Sequence, residues 1–141
     1  MASITAGGSS TLTVNVGATV AAGTYTVTIT GTEGTAVHST TVSVTVTAVP
    51  GAPTLTANRS SRRGVQLNWT IPASNGSPIT AYRIYRSTTS SAEIFLIQVG
   101  TGSTSYGDSS TASGVTYFYK ITAVNGIGEG RFTNEASARA R

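Results

Sequence analysis

The sequence predicts an all-β protein of antiparallel sheets, with a complete β-sandwich in its second half and a partial three-stranded sheet before it. Three observations carry that reading. Apolar residues recur at every second position over much of the chain, the spacing that sends alternate side chains to opposite faces of a strand. Thr, Ser, Gly, Ala and Val dominate, and only 10% of residues are charged, against roughly 25% in an average globular domain. Clusters of Gly, Pro, Asn and Ser interrupt the alternation at short intervals, as turns between strands do.

The 141 residues suffice for one ordinary domain or two small ones. The segment TAVPGAP, Thr47 to Pro53, divides them, because its prolines cannot donate to a sheet ladder. Residues 1–48 and 49–141 are therefore taken as two parts. In the first part Leu12, Val14 and Val16 share one strand face, as do Tyr25, Val27 and Ile29, and then Val42, Val44 and Val46. The turns AAGT and GTEGT lead into the second and third runs, and the opposite faces are nearly all Thr, Ser and Asn. Three strands with one apolar face need a second layer to bury it, so this part reads as the closing strands of an incomplete sandwich.

In the second part, strands are predicted near Pro53 to Asn58, Val65 to Thr70, Ile79 to Ser87, Ile94 to Val99, Thr104 to Gly107, Thr116 to Asn125 and Asn134 to Arg139. Seven short strands in about 90 residues is the count of an immunoglobulin-like sandwich. Val65, Leu67 and Trp69 fall on one face of the second strand, and Tyr117, Tyr119, Ile121 and Ala123 on one face of the sixth. The pieces PGAPTLTA, GVQLNWT, NGSPITAYRIYRS, GVTYFYKITAVNGIGEG and NEASARA occur in order, and with them the stretch from Pro50 to Arg139 resembles a fibronectin type III domain. Residues 9 to 47 are similar to the closing strands of immunoglobulin-like repeats of secreted bacterial proteins. The fibronectin resemblance implies that Tyr117 is a corner tyrosine, with its ring buried and its hydroxyl on a nearby backbone group. It also implies a leucine six residues earlier, where this chain has Thr111, so the turn there is expected to be less well plugged.

Composition excludes several functions. There is no cysteine, hence no disulfide, thiolate zinc site or cysteine nucleophile. His38 is the single histidine, and the four carboxylates after Pro50, Glu93, Asp108, Glu129 and Glu135, lie on different turns and strands. Neither an imidazole pair for metal nor a carboxylate pair across a cleft arises from that pattern, and no calcium loop of the DxDxDG kind is present. No catalytic residue, metal site or cofactor is expected. The net charge of +4 comes from basic residues that all lie from Arg59 onward, mostly as scattered singles rather than a phosphate-tracking stripe, so nucleic acid is not an expected partner. No apolar run approaches the roughly 20 residues of a membrane span. GIGEG, Gly126 to Gly130, continues into RFTNEASARAR, which reads as a strand; its glycines belong to a hairpin with positive φ angles and not to a phosphate loop. Lys120 has outward parity, which speaks against an internal isopeptide bond.

What remains is surface. Parity turns Arg83, Tyr85, Phe118 and Val124 outward on neighbouring strands, with Arg83 placed to stack on a ring. Together with the hairpin tip Asn125, Gly126, Ile127, Gly128, Glu129 and Arg131 they form the candidate binding surface, beside the plainer account of ordinary cross-strand pairing. Arg62 and Arg63, in the turn after the first strand of the sandwich, are expected to lie near Arg139 and Arg141 and make one end cationic. The expectation is a non-catalytic spacer or adhesion module of a larger bacterial protein, secreted or at the cell surface. Its partners would be neighbouring domains or another protein. One alternative is an accessory module of a polysaccharide-degrading enzyme that binds or orients glycan. Another is a self-assembling subunit, a homo-oligomer through strand exchange by the incomplete first half.

Overall fold

The computed structural model describes residues 8–17 and 19–141. The Thr/Val-rich first part folds as one ribbon, β1 (Gly23–Glu33) antiparallel to β2 (Ala36–Val46), in register from Gly23↔Val46 to Glu33↔Ala36. The turn places Gly34 first of its two central residues with φ 57°, as a type II′ connection requires. Pairs such as Tyr25↔Val44 and Val27↔Val42 put the apolar residues on one face, and Thr24↔Thr45 and Thr26↔Ser43 the hydroxyls on the other. The first expected run forms no strand: residues 8–17 are irregular, with Leu12 57%, Val14 46% and Val16 49% exposed. Where three strands are expected, two form among the described residues. The apolar face has no second layer among the described residues, so a third strand would order its backbone without burying its side chains.

The second part is the predicted sandwich. Its strands are β3 (Leu55–Arg59), β4 (Val65–Trp69), β5 (Ile79–Ser87), β6 (Ile94–Gly100), β7 (Ser105–Asp108), β8 (Thr116–Asn125) and β9 (Ala136–Arg139). One sheet has the order β3-β4-β7 and the other β6-β5-β8-β9, all pairs antiparallel. Period-two alternation does the packing: Val65, Leu67 and Trp69 meet Tyr82, Ile84, Tyr117, Tyr119, Ile121 and Ala123 between the sheets. The Trp69 and Tyr82 rings lie 5.4 Å apart and tilted, the geometry their quadrupoles favour.

The strand order sends the chain through the sandwich from end to end. It comes in beside the turn at Asn75 and the hairpin after β8, where the Ala48 amide donates to the Asn75 carbonyl at 2.9 Å and Gly51 to Ala73 at 2.9 Å. It leaves at the opposite pole, where the Arg141 amide donates to the Gly64 carbonyl and Gly114 to Ala140.

At the exit pole Thr111 is buried, with its hydroxyl donating to the Asp108 carbonyl at 3.4 Å. The expected poorly plugged turn is thus closed by a small hydrogen-bonded residue. Tyr117 has its expected corner role, its hydroxyl accepting from the Ala112 amide at 3.0 Å. Gly64 fits against the same turn with φ 84°, and a Cβ there would overlap the Asp108 carbonyl. Gly64→Ala is therefore expected to destabilise the sandwich by about 2 kcal/mol or more, from left-handed strain plus overlap. Gly102→Ala, where a Cβ meets open space, should stay near wild type. Urea unfolding of the two variants checks this difference.

Candidate functional site

The outward face of the β6-β5-β8-β9 sheet brings together part of the expected surface. After β8 the hairpin closes through Asn125 N–H to the Gly128 carbonyl at 3.0 Å and Gly130 N–H to Ala123 at 2.8 Å. The chain then turns back over the sheet and lays Glu129 on it. The Glu129 carboxylate accepts from Arg83 Nη1 at 2.6 Å, from the Tyr85 hydroxyl at 2.6 Å and from the Thr122 hydroxyl at 2.5 Å. Arg83 Nε also donates to Gln98 at 3.1 Å. Burial alone would raise the Glu129 carboxyl, but the hydrogen bonds from Thr122, Tyr85 and Arg83 hold it below its usual value.

Tyr85 is flanked by Phe95, 5.8 Å between centroids, and Phe132, 4.9 Å, both edge-on. Phe95 and Phe132 are 55% and 50% exposed, so an aromatic strip forms around Tyr85, a residue of the expected surface, with two members outside it. Phe118 and Val124 do face outward and half-buried, but Phe118 sits between Ser87 and Ser137, and Val124 bridges to Glu129. The expected stacking of Arg83 on a ring gives way to its pairing with Glu129; the cation over a ring is Arg86, 5.1 Å above Tyr117. At the tip, Gly126 and Ile127 are exposed, Gly128 half-buried and Arg131 exposed. Of the GIGEG glycines only Gly128 has a positive φ, 155°; Gly130 is required because a Cβ would overlap the Pro50 carbonyl.

Asn125 is buried and turned inward to the chain's own backbone. Its Nδ2 donates to Ala48 at 2.8 Å and Ser74 at 3.1 Å, and its Oδ1 accepts from Ile127 at 2.9 Å and Gly128 at 3.1 Å. With Asn75 Nδ2, 2.8 Å from the Val49 carbonyl, it fastens the incoming chain to the sandwich.

The carboxylates of the second part are engaged in structure. Asp108, fully buried, accepts from Arg86 Nη1 at 2.8 Å, the Tyr119 hydroxyl at 2.9 Å, the Ser110 amide at 3.0 Å and the Ser110 hydroxyl at 2.7 Å. The sequence carried a sign of this cluster: Arg86 has the inward parity of Tyr82 and Ile84. Desolvation pushes the Asp108 carboxyl up, and the bonds from Ser110, Arg86 and Tyr119 outweigh it and leave the group lowered. Burial, then the bond to Asp108, drives the Tyr119 phenol strongly up. Lys120, outward as expected, lies 3.0 Å from Glu93 and 3.7 Å from Glu135. His38 is exposed on the ribbon opposite Gly31. Among the described residues no three His, Asp or Glu are grouped to hold a metal, and no helix is long and apolar enough to cross a membrane.

The family model for the fibronectin type III domain matches residues 48–139. Solved structures share the fold. A crystal structure of domains from titin is 26% identical with a TM-score of 0.59, covering 84% of this chain and 40% of that one. A Fn3-like protein from Clostridium thermocellum is 29% identical with a TM-score of 0.51, covering 64% of this chain and 90% of that one. A β-1,2-glucanase from Parabacteroides distasonis is 24% identical with a TM-score of 0.55, covering 67% of this chain but only 13% of the enzyme. No curated protein matches the chain.

The lowered carboxyls of Asp108 and Glu129 and the raised phenol of Tyr119 predict a stability plateau with two limbs. Asp108 and Glu129 have lowered folded values, so the stability they contribute is present above the unfolded carboxylate range near pH 4 and is lost as pH falls through the folded values. Tyr119 has a raised folded value, so its contribution is present below an unfolded value of about 10 and declines above it. Urea midpoints measured from acid to alkaline pH should fall at both ends, and Tyr119→Phe should flatten the alkaline limb.

Proposed function

The chain belongs to the fibronectin type III family through residues 48–139, and on that premise we propose that it is a non-catalytic spacer or adhesion module of a larger bacterial protein, secreted or at the cell surface. The carrying observation is the path of the chain: it comes in at one pole, fastened by Asn75 and Asn125, and leaves at the other, paired to Gly64 and Gly114. A domain threaded from pole to pole sets a fixed distance between its two neighbours in a longer chain. The buried and paired carboxylates serve cohesion, which leaves the module the work of presenting surface. Residues 1–48 are read as closing strands of a second immunoglobulin-like domain, a reading supported by the titin likeness extending over 84% of the chain.

If the junction is a stiff coupling, the amides of Ala48 and Gly51 exchange slowly with solvent, and Asn125→Ala accelerates Ala48 exchange by about tenfold, the effect of losing roughly 1.4 kcal/mol of local closure. Hydrogen exchange measured by mass spectrometry or NMR reads this. Fast exchange at both amides in the wild-type chain would sink the stiff-spacer reading.

The trio Tyr85, Phe95 and Phe132 favours a second reading, an accessory module that holds glycan for a polysaccharide-degrading enzyme. The same fold lies within a glucanase and a pectate lyase. On this reading the chain is retained on insoluble cellulose or chitin, and Phe95→Ala with Phe132→Ala abolishes retention. Passage of the wild-type chain through every such matrix would leave the spacer reading alone.

A further inference from the structure

The pole where the chain leaves the sandwich gathers arginines that the fold does not neutralise. Every side-chain carboxylate from residue 49 onward is in an ion pair, and those pairs engage only Arg83, Arg86 and Lys120. Arg59, Arg62, Arg63, Arg139 and Arg141 have no ion pair among the described residues, and all are exposed. Backbone pairing brings them together. Arg62 and Arg63 lie in the turn closed by Ser60 N–H to the Gly64 carbonyl, and Arg141 exchanges backbone hydrogen bonds with Gly64. Arg59 ends β3, and Arg59 and Arg139 line one cleft of about 200 Å³ with Ser113, Gly114 and Ala140.

Two of these side chains are already oriented. Arg139 Nε donates to the Gly114 carbonyl at 2.7 Å, and Arg141 Nη1 donates to the Ser61 carbonyl. A guanidinium held by its Nε keeps both Nη groups for a ligand, in the planar fork that fits two oxygens of one carboxylate. Gly114 has φ 83°, a left-handed conformation that glycine adopts without strain and that sets its carbonyl against Arg139 Nε.

We infer that this pole is a binding site for the carboxylate groups of an acidic polysaccharide. Carboxylates suit the fork, and Ser113, which lines the same cleft, suits a sugar hydroxyl. Nucleic acid fits less well, since the cleft residues include no aromatic ring on which a base could stack and the charges form a patch, not a track along a backbone. The inference is independent of both the spacer reading and the aromatic-face reading. It concerns a different end of the domain, and the domain would still set a distance without it.

The test is calorimetric titration of the full chain with polygalacturonate, dextran and duplex DNA at physiological salt. Polygalacturonate should bind, dextran should not, and DNA should bind at least about tenfold more weakly. The pair Arg59→Ser and Arg139→Ser should cost about tenfold or more in affinity, the scale of one charge-assisted hydrogen bond, while Arg131→Ser, away from the pole, should change little. The pair Arg59→Lys and Arg139→Lys keeps the charge and removes the fork, and should also weaken binding; it serves too if the serine variant fails to fold. Absence of polygalacturonate binding, DNA binding as tight or tighter, equal loss with Arg131→Ser, or full affinity in the lysine pair would each overturn the inference.

Discussion

The sandwich depends on a buried carboxylate. Asp108 ends β7 in one sheet and is bonded to Arg86 of β5 and Tyr119 of β8 in the other, so a single side chain joins the two layers of a domain without cysteine. Taking a carboxylate and a guanidinium from water costs several kcal/mol per ion, and only good geometry with further hydrogen bonds offsets it. Here Ser110 supplies two of those bonds, and the Tyr117 ring lies under Arg86. The arrangement also fixes its surroundings. Thr111 and Gly64 close on the Asp108 backbone, and Tyr117 caps the adjoining turn through Ala112. From that turn the chain reaches Gly114, which holds Arg139. The cationic pole is therefore built on the same knot that joins the sheets.

The opposite pole is fixed by amides in place of charges. Asn125 and Asn75 hold the backbone between the ribbon and the sandwich, and Gly130 admits the Pro50 carbonyl at a distance no side chain would allow. The proline segment that divides the sequence into two parts thus lies in a fastened junction. Between the poles the outward sheet face carries Glu129 with Arg83, Tyr85 and Thr122, a network that is partly exposed and contributes less per bond than the Asp108 knot.

Most of the fold was legible because alternation is a local signal: inward Tyr117, Tyr119 and Ile121 and outward Lys120 come from spacing alone. The tyrosine corner was legible too, through the family resemblance. The aromatic face was legible only in part. Phe95 shares the parity of inward Val99, yet the register shifts between Ile84 and Tyr85, so the bulge turns Phe95 out beside Tyr85. Phe132 lies outside any strand, where parity assigns no face. Asp108 and Arg86 come together across the two sheets, a contact that no spacing within one strand encodes, although an arginine at an inward position hinted at a buried partner. The first half erred in the other direction: the Leu12, Val14 and Val16 alternation is strand-like, but alternation makes a strand only where a layer waits to cover it.

The most direct measurement of this account is a double-mutant cycle on Arg86→Met and Asp108→Asn, read by urea unfolding of the two single variants and the pair. A knot that joins the sheets predicts a coupling of about 2 kcal/mol or more, with each single variant costing about 3 kcal/mol or more and the pair much less than their sum. Additive losses would contradict it, and would mean that the two sheets are held by apolar packing alone.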